Sequence, residues 1–310
     1  MSDSAGTDKS RHDSERVLVA GATGYIGKFA VQAFRERGYW VRALTRSADK
    51  LREPGPFTAP GIGKGDVDDV FVGELGDPST LDGLMEGIDI VFSSVGISRQ
   101  RDRLDFETVD YGYNRRLVDM AVEAGVRKFV YVSMQGADDP LISDLAITRA
   151  HEKVVDHLKA SGLQYAIVRP CGYFSDMGSL LSMAKRGRAL LVGDGSNRMT
   201  PIHGRDVAEV VVEAAEGDEV DIEAGGPDEM TQREAVELAF DVLGKQPKVI
   251  VVPIGVAQVM VKGIGLLSKQ FGDLFQFIVV AGEVDGVGPP RGKRTLRAYF
   301  EGLAADDPDA

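Results

Sequence analysis

Three glycines spaced three residues apart stand in the string Val17-Leu18-Val19-Ala20-Gly21-Ala22-Thr23-Gly24-Tyr25-Ile26-Gly27, between a short apolar run and a helical pattern. A strand that turns into a helix through such glycines aims backbone N–H groups at an anion. Gly21 permits the tight turn, Gly24 puts no side chain in the way of a pyrophosphate, and Gly27 lets the helix lie close on the strand. The helix N-terminus adds a partial positive charge. Gly21, Thr23, Gly24, Tyr25, Ile26 and Gly27 are therefore expected to cradle the phosphates of a dinucleotide. The bland reading is a strand–turn–helix that holds no ligand.

The second apolar run, Trp40 to Thr45, ends in Arg46-Ser47. A site selective for NAD places an acid about 20 residues past the glycines, on the ribose 2′-hydroxyl. No carboxylate stands at this tip. A guanidinium there would pair with a 2′-phosphate that an acid would repel. Arg46 and Ser47 thus predict NADP(H), against the alternative of an arginine that merely faces solvent.

Further run ends should line the same crevice: Glu74-Leu75, then Ser94-Val95-Gly96, then Ser133-Met134, then Pro170-Cys171-Gly172-Tyr173. Glu74 and Leu75 would flank the adenine, Gly96 would admit the ribose, and the last two exits would lie near the nicotinamide. Each is equally an ordinary strand exit. Tyr173 is a candidate proton donor or an apolar wall. Cys171 lacks the electropositive setting of a nucleophile and reads as a small packing residue. Ser98 to Arg103 holds three arginines that would either grip an acidic substrate group or lie solvated.

The elements that must position these residues alternate from Arg16 to about Arg169. Strands are expected near Val17–Ala20, Val41–Leu44, Val70–Val72, Ile88–Phe92, Phe129–Val132 and Tyr165–Val168. Helices are expected at Tyr25–Arg37, Ser79–Met85, Phe106–Ala124 and Ser143–Lys159. Continuous apolar runs mean strands covered on both faces, hence a parallel sheet with crossover helices. The fold class is α/β: a Rossmann-type doubly wound sheet with ligands at the carboxyl ends of its strands. Residues 1–15 read as a polar, disordered tail, 16–170 as the NADP(H)-binding domain, and 171–310 as a smaller substrate-facing α/β region. Residues 53–66, rich in proline and glycine, form a loop: a lid over the cofactor, or a surface insertion without consequence.

The 310 residues are 43% apolar with a net charge of −12, which argues against nucleic acid or an anionic membrane as the partner. A single cysteine excludes an internal disulfide and fits a reducing, cytoplasmic setting. No secretory signal is visible. The most apolar stretch, 249–261, contains Pro253, stops at Lys262 and falls short of the roughly 20 residues of a membrane span. A buried strand and helix are expected there, and no integral membrane segment. The four histidines make no metal-ligand set.

Together these segments resemble the atypical short-chain dehydrogenase/reductases, in the NmrA-like, NAD(P)H-binding branch. The likeness runs through G-A-T-G-Y-I-G, V-E-A-G-V-R-K-F-V-Y-V-S, A-S-G-L-Q-Y-A-I-V-R-P, M-T-P-I-H-G-R-D-V-A and V-G-P-P-R-G-K-R-T-L-R-A-Y-F. The later segments are most similar to the divinyl chlorophyllide 8-vinyl-reductase-like subgroup. The resemblance implies NADP(H) in the crevice and a substrate between the two regions. It also implies a Tyr-x-x-x-Lys pair on the helix after the fifth strand, and the matching positions here are Ile147 and His151. His151 is therefore the candidate ribose contact or proton shuttle, against a structural hydrogen bond. His203 is implied to form a turn into a helix, with Arg205-Asp206 a local ion pair.

The leading expectation is an NADP(H)-dependent reductase of a small or medium apolar organic substrate, with His151 and Tyr173 as catalytic candidates. Tyr173, Phe174, Met177, Leu180, Leu181 and Met183, with Phe271 to Val280, would wall the pocket. The alternative is a non-catalytic NADP(H)-binding redox sensor or assembly factor with a protein partner.

Overall fold

The computed structural model describes residues 15–97 and 105–305. Six parallel strands follow the expected runs: β1 (Arg16–Ala20), β2 (Trp40–Thr45), β3 (Asp69–Val72), β4 (Ile90–Ser93), β5 (Lys128–Val132) and β6 (Gln164–Pro170). Short strands β7 (Ala189–Val192) and β8 (Arg198–Met199) come next. A further strand, β9 (Asp221–Ala224), then returns to pair with β6. The sheet order is β3-β2-β1-β4-β5-β6-β9, a doubly wound sheet with its crossover point between β1 and β4. The cofactor layer thus runs past residue 170 and takes its seventh strand from the region assigned to the substrate.

The first helix, α1 (Tyr25–Arg37), buries Ile26, Phe29, Ala30, Ala33 and Phe34 at helical spacing. Gly38 ends it at φ 100°, and the N–H of Tyr39 donates back to Phe34 O at 3.1 Å. Beyond the short α2 (Ala48–Arg52), the next crossover departs from expectation. Residues 79–85 form no α-helix; a single 3₁₀ turn at Pro78–Thr80, capped by Asp77, gives way to successive turns. A π-helical stretch, Glu107–Tyr113, leads into α3 (Asn114–Glu123), and α4 (Ala146–Ala160) precedes β6.

Further helices follow: α5 (Phe174–Lys185), α6 (Gly204–Glu216), α7 (Gln232–Val242), α8 (Ile254–Leu267), α9 (Lys269–Ala281) and α10 (Leu296–Ala305). Helices α3 and α4 cover one face of the sheet, burying Leu117, Val154 and Leu158 against Leu18, Val91 and Phe129. Helices α1 and α6 cover the other, where Phe34 and Val211 meet Val17 and Val130. A third core joins α5, α7 and α10 through Phe174, Leu181, Phe240 and Phe300. Strand β10 (Met230–Thr231) pairs with β8, and β11 (Val249–Val252) with β7. The strand and helix of 249–261 exist, but their outer faces are not buried: Ile250, Val251, Val256 and Val259 are exposed.

The 53–66 loop is an anchored strap. The fully buried Lys28 donates from Nζ to Leu51 O at 2.7 Å and Glu53 O at 2.6 Å, fixing its start. Ala59 and Ile62 are buried in the α1 side of the core. Phe57, held at φ 61°, lays its ring on Gly178 of α5, where a Cβ would come within 3.0 Å of it. The strap therefore ties the β2 side of the sheet to the third core.

Candidate cofactor and substrate site

The glycine turn has the geometry its spacing predicts. Gly21 sits at φ 83°, a conformation that side chains resist, and its carbonyl accepts the N–H of Gly24 at 2.8 Å. A Cβ on Gly27 would lie 2.7 Å from the carbonyl carbon of Gly21 and overlap its oxygen, so helix and strand touch through bare backbone. A Cβ on Gly24 would meet only Gly21 O, at 3.2 Å. Protein packing demands a glycine at 27 far more than at 24, which leaves the approach to Gly24 open for a ligand. The first turn of α1 holds no acid and its N-cap makes no side-chain bond. Beside it, the buried hydroxyl of Ser94 has no hydrogen-bond partner among the described residues, and a Cβ on Gly21 would reach it at 3.0 Å. Open helix donors, a close-approach glycine and an orphan hydroxyl fit a dinucleotide's pyrophosphate.

At the next strand tips, Arg46 Nη1 stands 3.7 Å from Glu74 Oε1, both side chains half exposed. Ser47 begins α2, and its N–H donates to Thr45 Oγ1 at 3.0 Å. Leu75 is buried in the core, and its carbonyl accepts from the Arg116 guanidinium.

Beyond β4, a polar knot that the sequence did not announce fixes the backbone of 93–97. Asn114 accepts from Ser93 Oγ at 2.5 Å and donates to Val95 O and Asp110 O at 2.9 and 2.7 Å. Asp110, 1% exposed, accepts from the N–H of Ile97 at 3.3 Å. A Cβ on Gly96 would come 2.7 Å from its carboxylate, so that position is held to glycine by Asp110. His151 belongs to the same knot. Its Nδ1 lies 3.0 Å from the hydroxyl of Tyr131 and its Nε2 3.5 Å from Asp110 Oδ1. Burial pushes the Tyr131 phenol well above its ordinary pKa, so it keeps its proton and pairs with Nδ1 as a neutral hydroxyl. Both ring nitrogens of His151 thus face partners inside the fold, while Ile147 lies in the first turn of the same helix.

The β5 and β6 exits are joined by charge. Arg169 pairs with Glu152 at 2.7 Å and Asp221 at 2.8 Å, and also donates to Met134 O at 3.1 Å. Ser133 Oγ donates to Glu152 Oε1 at 3.3 Å, so it too is turned into this network. Gln135 Nε2 donates to Val287 O at 2.8 Å, closing a C-terminal loop over the strand ends. Pro170 is buried beside β9. Cys171 is buried against Gly288, and burial pushes its thiol up to about 11, which fits a packing role.

Tyr173 is the N-cap of α5, and its ring meets Tyr25 edge-on at 6.4 Å. Burial raises its pKa far above the ordinary phenol value, so it stands as a neutral donor. Asp176 accepts from the Tyr173 N–H at 3.4 Å. Its carboxyl opens to solvent yet is ringed by protein, and that desolvation pushes it up to about 6. Tyr25 accepts the N–H of Gly204 at 3.0 Å, clamping the glycine turn to α6. His203 caps α6, with Nδ1 accepting from Arg205 N–H at 3.0 Å. Burial and the nearby Arg294 lower its pKa to about 4, so the ring is neutral, as a structural turn requires. Arg205 and Asp206 do not pair with each other. Consecutive helix residues diverge by about 100°, and Arg205 reaches Glu36 while Asp206 takes Arg294.

Of the residues expected to wall the pocket, Phe174 and Leu181 are core, and Met177, Leu180 and Met183 pack partly buried against them. Phe275 and Ile278 are exposed, and the side chains of Phe271 and Leu274 lie outside the described residues. The arginines of 98–103 lie outside them too. Among the described residues no group of three or more His, Cys, Asp or Glu is placed to hold a metal.

Residues 21–218 match the NAD(P)H-binding family. The chain is 28% identical over 272 residues to divinyl chlorophyllide a 8-vinyl-reductase, chloroplastic, of Arabidopsis thaliana, covering 82% of this chain and 64% of that protein. It therefore spans just under two thirds of that relative's length. Ceramide reductase of Caulobacter vibrioides is 29% identical over 247 residues, covering 76% of this chain and 73% of its own. In fold, the chain resembles the Escherichia coli NADPH-dependent quinone oxidoreductase solved with NADPH. That likeness has a TM-score of 0.69 at 19% identity and covers 93% of this chain and 99% of the other.

Proposed function

The chain belongs to the NAD(P)H-binding family, and from that premise we propose an NADP(H)-dependent reductase of a small or medium apolar organic substrate. One observation carries the cofactor choice: Arg46, at the tip of β2, presents a guanidinium where an NAD site would present an acid. The pyrophosphate would lie on the first turn of α1 at Gly24 and the Ser94 hydroxyl. When bound, the nicotinamide supplies the hydride. Tyr173, a neutral phenol at the mouth of the β6 exit, would give the proton, with Asp176 beside it to exchange protons with solvent. His151 would act as a positioning residue, holding Asp110 and through it the Gly96–Ile97 backbone against the ribose. The vinyl-reductase and ceramide reductase relatives favour reduction of an apolar substrate.

Calorimetric titration with NADPH and NADH, followed by turnover with a panel of enones, vinyl porphyrinoids and quinones, tests this. Tighter binding of NADPH and oxidation of it by one of the panel is expected. Equal affinity for both cofactors would remove the role given to Arg46.

A second reading, a non-catalytic NADP(H)-binding sensor or assembly factor, draws on the knot around His151. Ile147 holds the position of the family's tyrosine, and both nitrogens of His151 are engaged within the fold. Tight NADPH binding without turnover of any panel member, together with a stable protein partner, would favour it.

A further inference from the structure

Tyr25 is the first residue of α1 and follows directly on Gly24, so its backbone belongs to the turn proposed to hold the pyrophosphate. Its side chain leaves that turn for another part of the fold. The hydroxyl accepts the N–H of Gly204, the first residue of α6, at 3.0 Å. The ring stands edge-on to Phe29 at 5.4 Å, to His203 at 6.4 Å and to Tyr173 at 6.4 Å. Position 204 is fitted to this ring: a Cβ there would lie 2.6 Å from Tyr25 Cε1 and 2.9 Å from the ring of Phe29. Any side chain at 204 would therefore push Tyr25 off its seat.

The same segment fixes Tyr173. Ile202 and Tyr173 form a parallel bridge, in which the N–H of Ile202 donates to Gly172 O at 3.0 Å and the N–H of Phe174 to Ile202 O at 3.1 Å. Gly204 stands two residues further along the chain. A closed circuit results. It runs from Gly24 through the Tyr25 hydroxyl to Gly204, back along the backbone to Ile202 and across the bridge to Tyr173. The edge-on contact of the two phenol rings completes it.

We propose that Tyr25 is a positioning residue, which sets the Tyr173 phenol at a fixed place relative to the cofactor turn. This rests on the role given to Tyr173 in the proposed reductase. A proton donor must come within about 3 Å of the atom it protonates, and a misplacement of about 1 Å can cost about 100-fold in rate. A tether that starts at the turn itself puts the dinucleotide and the proton donor on one frame. Whatever shifts the cofactor then shifts the phenol with it.

Tyr25→Phe keeps the ring and removes the acceptor of the Gly204 N–H. NADPH affinity should stay within about threefold, while kcat with a panel substrate falls about tenfold. The solvent deuterium isotope effect on kcat should rise as proton transfer becomes limiting. In a Tyr173→Phe background the same change should add less than about twofold, because a residue that acts through the phenol has nothing left to act on. Losses that multiply in the double variant would overturn the role of Tyr25.

Hydrogen exchange reads the tether without turnover. In the wild type, saturating NADPH should slow the amides of 172–174 as well as those of 21–27. In Tyr25→Phe the slowing should persist at 21–27 and be lost at 172–174. Slowing kept at both places, or wild-type amides at 172–174 that ignore NADPH, would overturn the proposal. A wild-type protein that binds no NADPH would remove the proposed function and this role together. Should Tyr25→Phe not fold, Gly204→Ala displaces the ring from its other side and is expected to give the same pattern.

Discussion

Arg46 and Glu74 face each other across the tips of β2 and β3, Nη1 to Oε1 at 3.7 Å. The guanidinium that the proposed function offers to a 2′-phosphate therefore stands beside a neighbouring carboxylate. Arg46→Glu should raise the Kd for NADPH about 100-fold and that for NADH less than about threefold. Glu74→Gln, which removes the competing carboxylate charge beside the guanidinium, should tighten NADPH a few-fold. Calorimetry with both cofactors on both variants reads these shifts, and a common loss of NADPH and NADH in Arg46→Glu would be incompatible with the assignment.

Gly24 and Gly27 should separate binding from folding. Gly27→Ala drives a Cβ into the Gly21 carbonyl, and should cost several kcal/mol, roughly 3 or more. Gly24→Ala meets only one atom, at 3.2 Å, and should cost about 1 kcal/mol or less while weakening NADPH at least about tenfold. Thermal melts and titrations on the pair would distinguish them, and a Gly24→Ala protein that binds NADPH normally would displace the pyrophosphate from this turn.

Tyr173→Phe and His151→Gln should fail in different ways. Removing the phenol should lower kcat about 100-fold with NADPH affinity kept within about twofold. Replacing His151 strands the buried Tyr131 hydroxyl and loosens Asp110, at a cost of about 1–3 kcal/mol in stability and with weaker cofactor binding. A Tyr173→Phe enzyme of full activity would strike that residue from the reaction.

His203 should make the fold acid-sensitive. Its pKa is about 4 folded and about 6.5 unfolded. Between those values the unfolded chain binds more protons, so stability falls as pH drops through that window and is fully present above it. The loss should approach about 3 kcal/mol. His203→Asn, which keeps an N-cap acceptor, should lack this component. Urea denaturation at pH 7.5 and pH 4.5 reads the difference, and parallel losses in both proteins would assign the acid response elsewhere. Asp176 works the opposite way, since its raised pKa makes the charged form costly above about 6.

Much of the frame was legible in the residues. The runs at the centres of β1, β4 and β5 are continuous and apolar because both sheet faces are covered there, and the glycine turn declares itself through spacing that few other local structures need. Other features depend on partners far along the chain. Asp110 and Asn114 look like surface positions on an amphipathic helix until the β4 exit folds over them. Asp221–Ala224 alternates polar and apolar and is too short to signal a sheet strand; pairing with β6 makes it one. Residues 79–85 have helical periodicity, yet Pro78 and the Asp77 cap close a 3₁₀ turn and the chain continues in turns. Arg205 and Asp206 are adjacent in sequence but point to different neighbours, a matter of helix geometry that composition does not carry.

The late return of β9 to the sheet has a consequence for how the chain acquires its structure. Its pairing with β6 closes a loop of about 50 residues, and such long closures are the slow steps of folding. Until that closure, β6 is an uncovered edge ready to pair with another chain, and α1 lacks the α6 face that covers it. On a ribosome, the cofactor half would therefore wait, incomplete, for a segment synthesised after α5. A fragment ending at residue 170 should accumulate as aggregate, not as a small nucleotide-binding domain.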